Sequence, residues 1–369
     1  MSIGYKQKNV EGIERNFTMI RTLIGVGIAL LLALVLIAAV SDRPWQALLG
    51  FLIGPFTSVN RMGSVVEKAI PLVFTGTAVC IIFSCGQISL AVDGTFYLTG
   101  IACAAVATKT GIAAGIHPFL CILAAGAAGA VICAVPAIMY IKFDTMTVVS
   151  SLMINFLCLH IGTYLLHYVM KDPAAGFDAS AKYEATARLS SLFPKTNIHT
   201  GLFIAIALVV ISYLVLYKSA WGYGVRMTGE NAKFARFSGI HVAKMVLTAS
   251  MAGGFITGMG GAVEQLGMYK RFSYLGLPGH GWNGIMIAVL AQNNPRNVPL
   301  AVLFVAYISV GADVVNRTGD VPIEIINIVQ AVIIMFVASD RFLIEWKRKK
   351  IVEMSQRAEA AVPQNMESR

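Results

Sequence analysis

The sequence predicts an all-α protein that crosses a membrane many times. Its mean hydropathy is +0.71 and 57% of its residues are hydrophobic. Charged residues make up only 13% of the chain, whereas a soluble domain carries about 25%. Several apolar runs also approach the roughly 20 residues that a helix needs to span a bilayer. These observations indicate a polytopic helical membrane protein.

We predict about ten membrane segments, including broken or re-entrant helices. The eighth segment is short for a full crossing, and Asp93-Gly94 interrupts the third. A membrane accepts such irregular backbone only where it is buried in protein or faces water. The predicted segments are 22–40, 69–85, 89–107, 119–141, 146–169, 200–217, 245–264, 284–292, 298–315 and 323–339.

The distribution of Lys and Arg predicts that both termini are cytoplasmic. With the N-terminus inside, 18 of the 29 Lys and Arg residues lie in inside segments, as the positive-inside rule requires. This bias also explains the net charge of +10 without nucleic acid. The resulting organisation is a cytoplasmic leader (1–21), a transmembrane domain (22–340) with a cytoplasmic loop (218–244) and an extracytoplasmic loop (170–199), and a charged cytoplasmic tail (341–369).

Catalytic and metal-binding motifs are not apparent in the sequence. The six cysteines lie in or at the edge of apolar runs without ligand spacing, which is typical of small core residues. The chain contains no Gly-Lys dipeptide, so it lacks the usual phosphate-binding loop and is not expected to hydrolyse ATP. Transport or conduction is therefore the default function, with no cofactor on this chain.

Polar residues within apolar segments indicate either a solute path or a packing bond. Asp93 fits a broken helix that lines a path, or a turn at the membrane surface. Asn155 fits an interhelical hydrogen bond or a solute contact. Glu264 ends an apolar helix, where it can reach the interface, and Asn283 opens the short eighth segment, whose helix N-terminus could present amides to a polar ligand. Glu324, after a proline, is explained by helix capping.

Small residues in the seventh segment predict a close helix contact. Gly254 and Gly258 lie four residues apart and Gly261 follows them, so they allow another helix to approach closely. We interpret this face as structural.

A polar, basic segment at 228–240 stands between apolar segments. Residues 231–237 can form a short helix that Ser238-Gly239 ends. Phe234 and Phe237 are three apart on one face, with Lys233 and Arg236 beside them. Exposed aromatic residues rimmed with charge are common in docking surfaces. The alternative is an amphipathic helix lying on lipid headgroups.

Five collinear segments resemble the permease family of ABC importers for ribose, other simple sugars, nucleosides and branched-chain amino acids. GENAKFARFSGI at 229–240 resembles that family's Gly-x-Asn-Pro-x-Ala-Ala-Arg-Tyr-Ala-Gly-Ile, with Ala232 in place of proline. ISLAVDGT resembles the Asn-Ile-Gly-x-Glu-Gly-Gln of its nucleoside and sugar branch, with Asp for Glu and Thr for Gln. The other matching segments are GGFITGMGGA at 253–262, GWNGIMIAVLAQNNP at 281–295, and 321–337.

The resemblance implies a bacterial cell-membrane permease with about ten helices that works as one of two such subunits, identical or different. Two cytoplasmic ATPase subunits carrying ATP-Mg would bind it, and an extracytoplasmic binding protein would deliver the solute. The family's coupling helix corresponds here to Gly229, Glu230, Asn231, Lys233, Phe234, Ala235, Arg236, Phe237 and Gly239. The expected wall of the path includes Asp93, Asn155, Asn283 and Glu264.

The function we predict is ATP-driven import of a nucleoside or simple sugar by alternating access. One alternative is a branched-chain amino acid permease of the same family. Another is an ion-coupled carrier or a channel that works alone, in contact only with lipid. The basic segment at 228–240 favours the importer, because a carrier working alone needs no docking helix.

Overall fold

The fold is a bundle of helices. A computed structural model describes residues 43–193 and 196–317, together with the isolated residues Leu31, Val35, Ile328 and Ala331. The helices are α1 (Pro44–Leu52), α2 (Val59–Ser84), α3 (Val92–Ala107), α4 (Ile116–Phe143), α5 (Thr147–Tyr164), α6 (Gly201–Lys218), α7 (Ala220–Glu230), α8 (Ala232–Phe237), α9 (Val242–Met268), α10 (His280–Leu290) and α11 (Val298–Arg317).

Among the described residues, six helices are long and apolar enough to cross a membrane. They are α2, α4, α6, α9, α5 with the turn that extends it to Val169, and the segment Pro295–Arg317 that contains α11. Each coincides with a predicted segment, so the prediction of a polytopic helical membrane protein is confirmed. The predicted segments 22–40 and 323–339 lie outside the described residues except for the four isolated ones. Both termini, the leader, the tail and Glu324 also lie outside them.

Two of the predicted segments, 89–107 and 284–292, correspond to the shorter helices α3 and α10. At 1.5 Å per residue, the 11 residues of α10 extend about 16 Å, roughly half of a 30 Å hydrocarbon core. The predicted interruption at Asp93-Gly94 is wrong, because α3 begins at Val92 and runs through both residues. The irregular backbone lies just before it, at 85–91.

Glycines allow α9 to touch its neighbours backbone to backbone. A Cβ on Gly258 would lie 2.1 Å from the carbonyl oxygen of Ala125 in α4, and one on Gly254 would lie 2.2 Å from that of Gly129. A Cβ on Gly261 would lie 2.8 Å from the carbonyl oxygen of Phe96 in α3. The structure therefore places this small-residue face of α9 against α4 and α3.

The loop between α5 and α6 folds back over the C-terminal end of α9. The Tyr183 hydroxyl donates to Gln265 Oε1 at 2.9 Å, and the Leu189 amide donates to the Leu266 carbonyl at 3.0 Å. Helix α6 connects this loop to α7, so the loop and α7 lie at opposite ends of the bundle. We call these ends the loop end and, because α8 follows α7, the α8 end.

The chain divides into two compact units. One comprises residues 49–314, and it holds every site described below. The other comprises residues 1–48 and 315–369. Of this second unit the structure describes the start of α1, the last residues of α11 and the four isolated residues.

Candidate functional site

The N-terminal turns of α3 and α10 meet at a buried carboxylate. Asp93, in the first turn of α3, is only 2% exposed, and its Oδ1 accepts a hydrogen bond from the Gly281 amide at 2.8 Å. The positive ends of two helix dipoles therefore share one negative charge, which stabilises both.

A glycine is needed where the two helices touch. A Cβ on Gly281 would lie 2.3 Å from the backbone nitrogen of Asp93. Gly279, which precedes α10, has a φ of 80°, a conformation that favours glycine. The sequence GHG at 279–281 thus allows the close approach that Asp93 requires.

Asn155 holds the irregular segment 85–91 and the start of α3 against α5. Its Oδ1 accepts from the Gly94 amide at 2.7 Å, and its Nδ2 donates to the Leu90 carbonyl at 2.6 Å. Ser151 Oγ accepts from the Leu90 amide at 2.9 Å. Both ends of the Asn155 amide therefore satisfy backbone groups that lie outside regular helical bonding.

Glu264 pairs with His280, a residue that the sequence did not single out. The distance between Glu264 Oε1 and His280 Nε2 is 2.7 Å, and the glutamate side chain is 2% exposed. From the sequence alone, Glu264 can reach the membrane interface, but the structure buries its side chain. The His280 ring also lies 5.0 Å from the Phe96 ring. The pair joins α9, α10 and α3 toward the loop end.

Two polar atoms of this pair lack partners among the described residues. They are Glu264 Oε2 and His280 Nδ1, both inaccessible to solvent. Tyr269 and Tyr274 stand beside the carboxylate. The Tyr274 hydroxyl donates to the Tyr269 oxygen at 2.9 Å. The structure thus leaves a buried acceptor open beside two aromatic rings.

His199 closes the loop end near this pair. It is fully buried, and its Nδ1 accepts from the Gly201 amide at 3.2 Å. Its ring packs on Gly267, where a Cβ would come within 2.3 Å of it. Burial lowers the pKa of His199 to about 4, and the nearby Glu264 only partly offsets this effect. His199 is therefore neutral at physiological pH.

The structure brings together most of the polar residues predicted for the path. Asp93 and Glu264 both lie near His280, and Asn155 binds the backbone on either side of Asp93. Asn283 lies in the first turn of α10, half-buried, and its side chain makes no hydrogen bond with a described residue. Among the described residues, no group of three His, Cys, Asp or Glu side chains could hold a metal ion.

At the other end of the bundle, α8 is the predicted short helix. It begins after Asn231, whose Oδ1 accepts from the Phe234 amide at 3.0 Å. It ends before Gly239, which has a φ of 83°, and the Ile240 amide then donates to the Ala235 carbonyl at 2.9 Å. Local capping signals fix both ends of this helix.

One face of α8 exposes aromatic side chains. Phe237 is 91% exposed and Phe234 is 54% exposed, while Ala235 is fully buried on the opposite face. Lys233 and Arg236 are also exposed. We call Lys233, Phe234, Arg236 and Phe237 the α8 face. Large apolar side chains exposed beside cationic ones are typical of an interaction surface.

The C-terminal end of α7, which precedes α8, touches the backbone at the end of α2. A Cβ on Gly229 would lie 2.2 Å from the Ser84 carbonyl oxygen. A Cβ on Gly86, which has a φ of 75°, would lie 3.1 Å from the Gly229 Cα. Segment 85–91 therefore begins at this contact and ends at the first turn of α3, beside Asp93.

Comparison with known proteins finds similar transport permeases. Residues 61–338 match the family model described as the permease component of the branched-chain amino acid transport system. A glucose ABC transporter permease from Haloferax volcanii is 30% identical over 318 residues, which is 84% of each chain. A guanosine ABC transporter permease from Bacillus subtilis is 29% identical over 306 residues, 80% of this chain and 87% of its own. A nucleoside ABC transporter permease from Lactococcus lactis is 27% identical over 221 residues, 57% of this chain and 60% of its own.

Proposed function

Because the chain belongs to the family of permease components of branched-chain amino acid transport systems, we propose that it forms the membrane path of an ATP-driven importer and that a separate ATPase binds α8. The chain is a transport subunit and not an enzyme. The substrate we propose is a nucleoside or a simple sugar, carried by alternating access. Relatives named for glucose, guanosine and nucleosides support this choice.

The α8 face is the observation that carries the ATPase proposal. A helix of six residues is too short to be stable by itself, yet caps at both ends and the buried Ala235 fix this one. It presents two phenylalanines and two cations to solvent. Aromatic and arginine residues contribute most of the binding energy in protein interfaces. A groove in an ATPase subunit that carries acidic residues would bind this surface.

The chemistry around Asp93 favours a neutral substrate. In transporters with broken helices, a helix N-terminus that faces the path can bind the carboxylate of an amino acid. Here Asp93 already accepts the Gly281 amide at the start of α10. A second carboxylate at this point would be repelled and would lack donors. This arrangement supports a nucleoside or sugar over a branched-chain amino acid, which needs partners for both of its charges.

The remaining parts of the importer follow from this assignment. We propose that both termini and α8 are cytoplasmic and that the loop end is extracytoplasmic, in a bacterial cell membrane. A binding protein would then deliver substrate at the loop end. A second permease subunit, identical or related, would complete the path, and ATP-Mg would bind to the ATPase subunits.

Charge reversal on the α8 face tests the ATPase proposal. We expect Arg236→Glu to abolish co-purification of the ATPase, because losing one central contact costs about 2 kcal/mol or more, a roughly thirtyfold loss of affinity. The matched control is Arg188→Glu, which reverses an exposed charge in the loop at the opposite end. Both variants should insert into the membrane as the unmodified chain does.

Two results would contradict the proposal. In one, the Arg236→Glu permease still retains its ATPase and still imports substrate. In the other, the purified chain transports a solute in proteoliposomes without ATP or partner subunits, as a carrier or channel working alone would. Competition of uptake by uridine, ribose and leucine separates the substrate classes.

A further inference from the structure

Glu264 has one carboxylate oxygen that lacks a partner where almost no solvent reaches. Oε1 is bound by His280 Nε2 at 2.7 Å, whereas Oε2 has no hydrogen-bond partner among the described residues. The nearby Tyr274 hydroxyl donates to the Tyr269 oxygen at 2.9 Å. Leaving a buried charged acceptor unsatisfied is costly. A donor that does not belong to this chain would relieve that cost.

The surroundings of Glu264 suit a flat ring. Tyr269 and Tyr274 are both partly exposed, and their rings lie 5.4 Å apart in an edge-to-face arrangement. The Tyr274 ring in turn lies 5.6 Å from the ring of the buried Phe272. Aromatic side chains stack on the faces of nucleobases whatever the base. The open acceptor therefore lies at the edge of an aromatic surface.

The charges around the Glu264–His280 pair restrict which ligands can donate a hydrogen bond to Glu264. Asp93 and Glu264 both lie near His280, and Lys68, a lysine whose charge also acts on His280, is already bound to Asp313 at 2.5 Å. Anionic ligands are therefore disfavoured. The site offers acceptors to an uncharged donor, such as a ring N–H or a hydroxyl group.

We infer that Glu264 Oε2 accepts a hydrogen bond from the ring N–H of a nucleobase as a nucleoside crosses the membrane, with Tyr269 and Tyr274 against the face of the base. This inference rests on the proposed import function and selects the nucleoside over the sugar. His280 acts as a positioning residue, since it holds Oε1 and so leaves Oε2 for the substrate. The hydrogen bond to a carboxylate would distinguish bases by their ring N–H, a donor that a free sugar lacks.

Binding of matched ligands tests this assignment. The full chain is purified in lipid nanodiscs, and equilibrium binding of uridine, 3-methyluridine and ribose is measured. Methylation at N3 removes the donor, so we expect 3-methyluridine to bind at least about tenfold more weakly than uridine. Ribose should bind more weakly still, because it offers neither the ring N–H nor an aromatic face.

Glu264→Gln provides the second half of the test. The variant keeps the side-chain volume but removes the charged acceptor. We expect uridine to bind it about tenfold more weakly, and uridine and 3-methyluridine to bind within about twofold of each other. The matched control is Asp144→Asn, which removes an exposed carboxylate just after the C-terminal end of α4. This variant should keep the full preference for uridine. Asparagine tolerates the left-handed conformation found at that position, where φ is 51°.

Several outcomes would overturn the inference. They are equal binding of uridine and 3-methyluridine to the unmodified chain, ribose binding as tight as uridine, an unchanged preference in Glu264→Gln, and no uridine binding at all. Co-purification of the ATPase with each variant shows that it is folded. If the ATPase binds through α8 and drives uptake while the methylation effect is absent, the nucleobase inference fails and the proposed function stands. If the ATPase does not bind the unmodified chain, the proposed function fails by itself.

Discussion

Replacing Gly281 by alanine tests the junction between α3 and α10. The Gly281 amide donates to Asp93 Oδ1 at 2.8 Å, and a Cβ at this position would lie 2.3 Å from the Asp93 nitrogen and 2.5 Å from its Cα. These are backbone atoms, so they cannot rotate away as the end of a flexible side chain can. The two helices must therefore move apart in Gly281→Ala, and the hydrogen bond must lengthen or break.

The expected cost follows from these contacts. Overpacking of a buried contact costs about 1–3 kcal/mol, and loss of a hydrogen bond to a buried charge costs about 1.5–3 kcal/mol. Alanine in place of glycine in a helix returns up to about 1 kcal/mol. The net loss of unfolding free energy is therefore about 1.5–6 kcal/mol. At about 2 °C per kcal/mol for a large domain, this corresponds to a melting temperature lowered by roughly 3–12 °C.

The assay is thermal unfolding of the purified permease in detergent, with Gly276→Ala as the matched control. Gly276 lies five residues before Gly281, in the connection that precedes α10, and a Cβ there meets no atom within 4 Å. We expect the control to melt within about 1 °C of the unmodified chain, because exposed substitutions usually change stability by less than about 0.5 kcal/mol. If both variants melt at the same temperature, α3 and α10 do not form a tight junction and the reasoning is refuted.

Two other variants test the contacts that position the path. Asn155→Leu removes both hydrogen bonds to the backbone around Asp93, so we expect lower uptake together with a melting temperature several degrees lower; a change in uptake alone would instead indicate direct substrate contact. Gly258→Leu places a side chain where a Cβ already lies 2.1 Å from the Ala125 carbonyl, so we expect poor recovery of folded protein in size-exclusion chromatography, and normal recovery would contradict the backbone contact between α9 and α4.

Local signals in the sequence were sufficient to predict the long helices and α8. A run of about 20 apolar residues has few alternatives in a membrane, since every backbone group must be paired within the segment. Gly239 follows the end of this helix as predicted, whereas Asn231, predicted as its first residue, caps its start. The exposure of Phe237 agrees with its predicted place on the outer face of that helix.

Elements that depend on contacts between distant residues were predicted less well. Asp93-Gly94 has the composition of a turn, but an aspartate is also favourable in the first helical turn, and the amides of α10 decide between the two. The partner of Glu264 is 16 residues away on another element, which no local spacing reveals. Helix α7 was also missed, because its glycines at 222, 224 and 229 lower helix propensity while close contacts with other elements favour them.

The arrangement of glycines explains how movement of α8 could reach the proposed substrate site. Gly229 touches the backbone at Ser84 and Gly86 without an intervening side chain, so displacement of α7 is transmitted directly to segment 85–91. Beyond the turn at Cys85-Gly86 that segment is not helical, and α5 holds it through Leu90. Its far end carries Asp93, whose bond to Gly281 joins α3 to α10. An ATPase that moves α8 would therefore act first on the hydrogen bonds that hold the two short helices together, and their separation would expose Glu264. Coupling of this kind requires two alternative arrangements of the junction, which the Gly281→Ala variant would bias toward the open one.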